Sequence, residues 1–280
     1  MISLLLTILC STSIALILKY SSVNKGNPVL LLASNYLIAS AIGFILFFIE
    51  PGTQFSFPTL IYGAILGAVF VFSFFSFTKS IDAAGTALST LSSRISLVIP
   101  VALSIIFFGE TPSSTNLIGF VFTVVTIYLF YLSLRNDKSR TLKPSDYFYL
   151  AGVMIGIGIA DFSMKVFQQT RPLEEKQFFI ASIFFFAFLY SFGIVLIKNI
   201  PLKKKTILSG GILGVPNVFS SVFLIGALQS VAAILVYPIV NVGVIILTAV
   251  LAYLFWKERV NRIGLLSLLS GLISIILLTL

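Results

Sequence analysis

The sequence contains the stretch ILGAVFVFS at positions 65–73, which returns as ILGVPNVFS at positions 212–220. Ile-Leu-Gly opens both copies and Val-Phe-Ser closes them, at a displacement of 147 positions. Both copies lie in long apolar segments, and a bilayer core about 30 Å thick needs about 20 such residues per helix. The stretch therefore predicts a duplicated membrane segment.

Two further matches occur in the same order along the chain. Lys19 ends one apolar run and Lys165 ends another, 146 positions later. Phe-Phe-Gly-Glu at 107–110 corresponds to Phe-Trp-Lys-Glu at 255–258, 148 positions later. Three matches at nearly one displacement are unlikely in an unrelated pair of segments, so they predict an internal duplication.

Apolar runs between polar, proline or glycine breaks predict ten spans. Their predicted bounds are 2–20, 29–49, 58–78, 86–108, 115–134, 147–168, 177–197, 207–228, 231–256 and 262–280. A polar linker, 135–146, divides the chain into a first five-helix repeat, 1–134, and a second, 147–280. A repeat with an odd number of spans is inverted in its second copy. The predicted fold is an all-α integral membrane protein with ten transmembrane helices as two inverted five-helix repeats.

Composition excludes several classes of protein. The chain is 58% hydrophobic and 10% charged, against roughly 25% charged residues in soluble domains. It has no His and one Cys, Cys10, so we expect no disulfide within the chain, no metal site, no cofactor and no enzyme built on a Cys/His pair. The net charge is +9, and the basic residues that produce it lie mostly in short breaks between apolar runs. We therefore expect the lipid bilayer rather than nucleic acid as the partner.

The distribution of Lys and Arg predicts the orientation. Breaks after odd-numbered spans hold 14 of the 18 basic residues: Lys19, Lys25, Lys79, Arg135, Lys138, Arg140, Lys143, Lys198, Lys203, Lys204, Lys205, Lys257, Arg259 and Arg262. The opposite side holds Arg171 and Lys176. By the positive-inside rule both termini are predicted to be extracytoplasmic. The first run, Ile2–Tyr20, lacks a basic leader and is read as a retained span.

Apart from Lys19 and Arg262 at the ends of spans, three charged residues fall within predicted spans. Arg94 should face the bundle interior because a charge in the bilayer centre is costly. It is a candidate anchor for an anionic group of a substrate, or else a structural partner of Asp161 or of free carbonyls. Asp161 and Lys165, four residues apart, share one helix face. They are candidates for proton coupling or, alternatively, an inert ion pair with Lys165 reaching to the surface.

Uncharged polar residues within the spans are candidates for a substrate cavity or for contacts between helices. They are Asn35, Tyr36, Ser92, Ser93, Asn217, Tyr237 and Asn241. Pro100, Pro216 and Pro238 are expected to kink or interrupt their spans. Runs among the 28 Phe residues fit an aromatic cage or plain packing, and packing is favoured. Capping or pairing at a helix end accounts for Glu110 and Glu258.

These features together resemble one family. Ala84-Gly85-Thr86-Ala87 leading to Pro100, then Phe107-Phe108-Gly109-Glu110, and the weaker Trp256-Lys257-Glu258, resemble the EamA-type branch of the drug/metabolite transporter superfamily. The resemblance implies a ten-helix secondary carrier of a bacterial inner membrane. Some four-helix relatives place a proton-binding Glu in the first span, where this chain has Cys10-Ser11-Thr12-Ser13, so that mechanism does not carry over. Relatives are also described with cytoplasmic termini, opposite to the orientation predicted here.

The sequence thus predicts a secondary membrane transporter, an exporter of small metabolites and most of all of amino acids, working by alternating access. Arg94 and the uncharged polar residues would bind the small-molecule substrate, and protons are a candidate coupling partner. A multidrug exporter with a more apolar cavity is the alternative within transport. A non-transporting membrane sensor or assembly protein is the alternative of another class. The sequence leaves the substrate, the direction of flux and the oligomeric state open.

Overall fold

The computed structural model describes residues 2–23, 26–84, 86–134, 143–256 and 261–280, and within them it is helical without strands. Its helices are α1 (Ile2–Val23), α2 (Pro28–Ile49), α3 (Phe57–Ala84), α4 (Thr86–Ile95), α5 (Val98–Phe108), α6 (Ser114–Leu134), α7 (Pro144–Thr170), α8 (Lys176–Ile197), α9 (Lys204–Ser230), α10 (Ala233–Trp256) and α11 (Arg262–Thr279). A short 3-10 turn, Leu173–Glu175, precedes α8.

Several sequence predictions concern residues outside these ranges. They include Lys25, Gly85, most of the polar linker (135–142) and residues 257–260, which hold the Lys257-Glu258 match and Arg259. The side chain of Lys19 is likewise outside the described set.

Length and composition fit a membrane protein. Nine helical segments of the described residues are long and apolar enough to cross a bilayer, and the run Ile2–Leu18 is a shorter apolar helix. Large apolar side chains face outward, with Phe48 78% exposed, while polar residues such as Ser34 and Ser80 are buried inside. The predicted all-helical class with apolar helices of membrane length is therefore confirmed.

The predicted span 86–108 is not one continuous helix. It divides into α4 and α5 at Ser96-Leu97. In a continuous helix, residue 100 would donate its N–H to the carbonyl of Ser96, four residues earlier. Pro100 has no N–H, and a proline ring clashes with the carbonyl at that position. Ser96 O instead accepts from Ile99 N at 3.0 Å. The expected interruption at Pro100 is confirmed, whereas Pro216 and Pro238 lie inside α9 and α10, which continue past them.

Close helix contacts depend on glycines. In the structure α2 packs against α8 and α9, α3 against α7 and α8, and α1 against α9 and α10. A Cβ built on Gly67 would lie 2.8 Å from the Ile183 carbonyl oxygen of α8, and one on Gly214 would lie 2.6 Å from the Asn35 carbonyl oxygen of α2. Small residues let helix backbones approach this closely in membranes.

We predict that Gly67→Ala and Gly214→Ala each destabilise the protein by about 1–3 kcal/mol, because the added methyl group meets backbone that must shift. Gly193 in α8 is the matched control, since among the described residues no atom of another helix lies within 4 Å of a Cβ at that position. Gly193→Ala should leave stability unchanged or raise it by up to about 1 kcal/mol through helix propensity. Thermal unfolding in detergent measures all three. Equal effects at the three sites would contradict the packing described.

A ladder of hydroxyl groups joins α6 to α11. The hydroxyls of Thr123 and Ser274 lie 2.7 Å apart. Ser274 Oγ donates to Gly119 O at 3.0 Å, and Ser267 Oγ donates to Thr126 O at 2.9 Å. Such bonds between membrane helices contribute about 0.6 kcal/mol each. The ladder holds the antiparallel pair α6 and α11 together and takes no part in the candidate site described next.

Candidate functional site

The break between α4 and α5 lies against the middle of α7. A Cβ on Gly158 of α7 would come within 2.9 Å of the Ser96 carbonyl oxygen and 2.6 Å of Ile99 Cδ1. Asp161 follows three residues later on α7, and Arg94 lies in the last turn of α4. A lysine or arginine in the last turn of a helix is favoured by the helix dipole. The break therefore brings a cation and an anion from different helices into one region.

Two residues of α10 connect the Arg94 side chain to the backbone of Asp161. Arg94 Nη1 donates to Asn241 Oδ1 at 3.2 Å, and Asn241 Nδ2 donates to the Tyr237 carbonyl at 3.1 Å. The Tyr237 hydroxyl donates to the Asp161 carbonyl at 2.6 Å. Tyr237 is 2% exposed, so its position is fixed by packing as well. We call Arg94, Asp161, Tyr237 and Asn241 the central cluster.

The central cluster contains an unsatisfied donor. Arg94 Nε is buried and has no hydrogen-bond partner among the described residues. Among the described residues the Asp161 carboxylate takes part in no salt bridge, although it and Arg94 interact electrostatically. Buried polar groups are nearly always paired, so this guanidinium nitrogen is a donor that a water molecule or a ligand can use. The arrangement can accept a ligand with groups complementary to both charges.

Lys165 does not pair with Asp161, so that sequence-based expectation is wrong. The Lys165 ammonium contacts Glu110 Oε1 at 3.0 Å and donates to Gln168 Oε1 at 3.2 Å. Its side chain is 4% exposed, which also excludes reaching to the surface. The physical reason is that two carboxylates are candidates for Lys165. Glu110, after the end of the fourth span, has its carboxylate fixed in contact with the Lys165 ammonium, so Lys165 binds Glu110 instead of Asp161.

Glu110 is held by the start of α10. Its Oε1 accepts from Ala233 N at 3.0 Å and its Oε2 accepts from Ile234 N at 2.9 Å. These are the free backbone donors of a helix N-terminus, which favours negative charge. The interpretation of Glu110 as a capping and pairing residue is confirmed. The Glu110–Lys165 pair lies one helical turn beyond Asp161, towards the end of α7.

A second polar cluster fastens the same end of α7. Arg171 Nη2 contacts Glu175 Oε2 at 2.7 Å and donates to Ser56 Oγ at 2.7 Å. Arg171 Nε donates to Thr59 Oγ1 at 3.0 Å, and the Thr59 hydroxyl donates to Glu175. Gln54 N donates to Glu174 O at 2.9 Å. The loop before α3 and the turn before α8 are thus joined on the side of the bundle where Glu110 also lies.

The remaining predicted site residues, apart from Lys165 with its electrostatic surroundings on α7, form no side-chain hydrogen bond or ion pair with the central cluster among the described residues. Asn217 Nδ2 donates to Asn35 Oδ1 at 3.1 Å across α9 and α2, which is the geometry of a helix-to-helix bond. Tyr36 is 3% exposed and packs on Phe184 with ring centroids 6.0 Å apart. The carbonyl groups of Ser92 and Ser93 accept bonds from Ser96, which shapes the end of α4.

A groove on the outer surface is distinct from the central cluster. It has a volume of about 550 Å³ and is lined by residues of α3 together with Tyr190 of α8. Ile65 is 60% exposed and Phe72 is 47% exposed, so the groove faces outward and is apolar. Apart from Tyr190, every residue that lines it is apolar. The buried charges, rather than this groove, therefore define the candidate site.

Sequence reasoning missed two contacts that shape the site. The Tyr62 hydroxyl donates to the Ser163 carbonyl at 2.7 Å, two residues after Asp161. The second missed contact is the Glu110–Lys165 pair, because Glu110 was interpreted from the sequence as a helix-end residue and no partner was named for it. The signal that could have identified the pair is that Glu110 and Lys165 are oppositely charged and both end apolar runs.

Comparisons with known proteins show the fold alone. No family model matches the chain. An uncharacterized protein of Haemophilus influenzae is 28% identical over 287 residues, which cover 98% of this chain and 96% of that protein. The crystal structure of another protein superposes on this chain with a TM-score of 0.80 and 14% sequence identity. The superposition covers 99% of this chain and 94% of that protein's chain. The chain therefore shares its fold, over nearly its whole length, with a protein whose structure is solved.

Proposed function

We propose that this protein is a secondary transporter that exports small metabolites, amino acids foremost, by alternating access. The observation that carries the proposal is the central cluster at a broken helix, where Arg94 interacts electrostatically with Asp161 and keeps a donor without a partner among the described residues. Broken helices form the substrate sites of many secondary transporters. Buried charges within apolar spans are costly and mark substrate or ion pathways.

The proposal includes ten spans in two inverted five-helix repeats, with α4 and α5 as one interrupted span. Paired contacts support it. Gly63 and Gly67 of α3 approach Ser182 and Ile183 of α8, whereas Gly210 and Gly214 of α9 approach Ser34 and Asn35 of α2. The glycines of α9 lie 147 positions after those of α3, and the contacted residues of α8 lie 148 positions after those of α2. The glycine-bearing helix of each half therefore packs on the equivalent partner helix of the other half. A two-fold relation between the halves accounts for this exchange.

Arg94 and Asn241 support a site on the axis that relates the repeats. The two residues are 147 positions apart and hydrogen-bonded to each other. Equivalent positions of two repeats touch only near the axis between them. Inverted-repeat transporters bind their substrates at that interface, near the bilayer midplane.

Alternating access requires one side to close while the other opens. The Glu110–Lys165 pair and the Arg171–Glu175 cluster fasten neighbouring loops at one end of the bundle. We propose that this end is the closed, extracytoplasmic side and that the two clusters separate when the carrier turns over.

The resemblance to the EamA-type branch of the drug/metabolite transporters forms part of the proposal. The interrupted fourth span at Pro100 and the position of Glu110 at the end of that span support it. Similarity to a bacterial protein supports a bacterial plasma membrane as the location.

Flux from proteoliposomes tests the proposed function. Vesicles loaded with a mixed pool of labelled amino acids and other metabolites should show selective, protein-dependent efflux. Enhancement by a pH gradient would support proton coupling with Asp161 as the exchanging group, and indifference to the gradient would indicate a uniporter. No efflux of any compound from folded protein would contradict the proposal.

The orientation makes a separate prediction. Because 14 of 18 basic residues lie after odd-numbered spans, both termini should be extracytoplasmic. A reporter that is active only in the cytoplasm, fused after Leu280, should be inactive. The same reporter inserted after Asn199, between α8 and α9, should be active and serves as the control. The reverse pattern would show that the orientation is wrong.

A further inference from the structure

The apolar groove on the outer surface leads towards a pair of lysines. Its lining includes Phe72 of α3 and Tyr190 of α8. Phe75 lies about one turn further along α3 than Phe72. The ammonium groups of Lys79 and Lys198 lie 5.8 Å and 5.6 Å from the centre of the Phe75 ring. One end of the groove is therefore next to two cations that come from different helices.

The helices α3 and α8 run in the same direction, which brings both lysines to one end of the bundle. A Cβ on Gly63 would lie 2.7 Å from Ser182 Cβ. One turn later in both helices, a Cβ on Gly67 would lie 2.9 Å from Ala187 N. Each of the two lysines lies at the C-terminal end of its helix. The shared position of their ammonium groups on one ring is thus a consequence of how α3 packs on α8.

Both lysines are available to an external anion. Lys79 and Lys198 are exposed, and neither forms a salt bridge with a carboxylate of the described residues. Asp82, the carboxylate three residues after Lys79, is exposed as well and is in no salt bridge with it. The Phe75 ring holds the two ammonium groups by cation–π contacts, which leave their N–H groups free to donate. The pair therefore presents two positive charges beside the groove.

The spacing between the lysines and the groove matches one phospholipid. At a rise of about 1.5 Å per residue, Lys79 lies about 10 Å beyond Phe72 and about 16 Å beyond Ala68 along α3. One leaflet contributes half of a bilayer core about 30 Å thick, which is about 15 Å. A phosphate group at the level of Lys79 therefore places an acyl chain of the same molecule alongside Phe72 and Ala68. The groove volume of about 550 Å³ is sufficient for such a chain.

We propose that the groove is a binding site for an anionic phospholipid, whose headgroup contacts Lys79 and Lys198 and whose acyl chain lies along α3 from Phe72 towards Ile61. The charge at one end and the apolar lining of the remainder complement the two parts of this ligand. Anionic lipids attract basic residues near the membrane surface, whereas lipids without net charge do not. The proposal does not depend on the transport function.

A second copy of this chain fits the groove less well. A two-fold dimer places the same surface on both sides of its interface. Two chains that share one orientation in the membrane would then bring Lys79 and Lys198 against the same two lysines of the other copy. Like charges at such a contact repel each other. An anionic lipid replaces this repulsion by attraction, so charge complementarity favours the lipid.

Quenching by brominated lipids tests the proposal with the full chain in vesicles. The reporter is Phe72→Trp, combined with Trp256→Phe to remove the single native tryptophan. The vesicles contain phosphatidylcholine and phosphatidylglycerol with identical acyl chains, and either one lipid or the other carries bromine on those chains. Bromine quenches tryptophan fluorescence on contact. The two quenching curves therefore give the relative affinity of the groove for the two lipids.

We expect the groove to prefer phosphatidylglycerol by about 5- to 30-fold, the effect of one to two lysines at an anionic surface. Lys79→Gln together with Lys198→Gln should reduce the preference to less than about 2-fold. Lys204→Gln together with Lys205→Gln is the matched control and should leave the preference unchanged. It removes the same charge from exposed residues at the start of α9, outside the groove.

Salt provides a test that needs no change of the lysines. Raising the ionic strength from about 0.1 M to about 1 M shortens the Debye length from about 10 Å to about 3 Å, so the preference should fall. A preference that does not change with salt would overturn the proposal, because exposed charges must be screened.

Equal quenching by the two brominated lipids would overturn the proposal. So would an equal loss of preference in the two double lysine variants, because it would assign the effect to the total charge of that end of the bundle. Weak quenching by both lipids would overturn it as well. It would show that protein rather than lipid covers Phe72, which is 47% exposed in the single chain.

Discussion

Replacing Arg94 by glutamine should lower the transport rate at limiting substrate by about 30- to 1,000-fold, because losing a buried charge contact to the substrate costs about 2–4 kcal/mol. Arg94→Lys keeps the charge but lacks the planar fork that matches a carboxylate, so we expect a smaller loss. Initial rates of substrate uptake into proteoliposomes, normalised to folded protein, measure both.

Arg262→Gln is the matched control, since Arg262 lies exposed at the start of α11. It should transport at the unaltered rate. Arg94→Gln should remain folded, because it removes a buried cation whose Nε has no partner among the described residues. Unchanged transport in folded Arg94→Gln would show that Arg94 does not contact the substrate. Loss of transport together with loss of stability would point to a structural role instead.

Replacing Glu110 by alanine should destabilise the protein by about 3–5 kcal/mol. The change leaves the 4% exposed Lys165 side chain without its carboxylate and frees the backbone donors of Ala233 and Ile234 at the start of α10. A change of this size corresponds to a fall of about 5–10 °C in the unfolding temperature of a chain this long. Thermal unfolding in detergent measures it.

Glu174→Ala is the control, because Glu174 is exposed in the turn before α8 and is expected to be neutral. The double change Glu110→Gln with Lys165→Met removes both charges and keeps one acceptor for α10, so it should be less destabilising than Glu110→Ala. Equal unfolding temperatures for Glu110→Ala and Glu174→Ala would contradict the buried pair. Additive effects of Glu110→Gln and Lys165→Met would show that the two residues are not coupled.

The sequence alone predicted much of the fold, because apolar runs of about 20 residues leave few alternatives to membrane helices. Helix ends were less predictable. The third span was expected to end at residue 78, but α3 continues to Ala84, since a helix can extend past the apolar region with Lys79 and Asp82 in its last turns. The division of the fourth span was foreseen from Pro100, although its position at Ser96-Leu97 depends on local hydrogen bonds.

The candidate site was only partly predictable. Arg94, Asp161, Tyr237 and Asn241 were identified as polar residues in apolar surroundings, and the structure brings them together. Sequence spacing placed Lys165 beside Asp161 because residues four apart share a helix face. Its actual partner, Glu110, lies 55 positions away on another helix, and only packing reveals such a contact. For the same reason Asn35 and Asn217 were candidates for the cavity but pair with each other between helices.

Counterflow tests the central claim, that the chain is an alternating-access carrier, most directly. Proteoliposomes preloaded with an excess of unlabelled amino acid are placed in a trace of the same labelled compound, and the internal label is followed over time. The account predicts a transient accumulation of label above the external concentration, absent in vesicles with Arg94→Gln. A simple approach to equilibrium without overshoot would indicate a channel, and no protein-dependent entry for any amino acid tested would contradict the account.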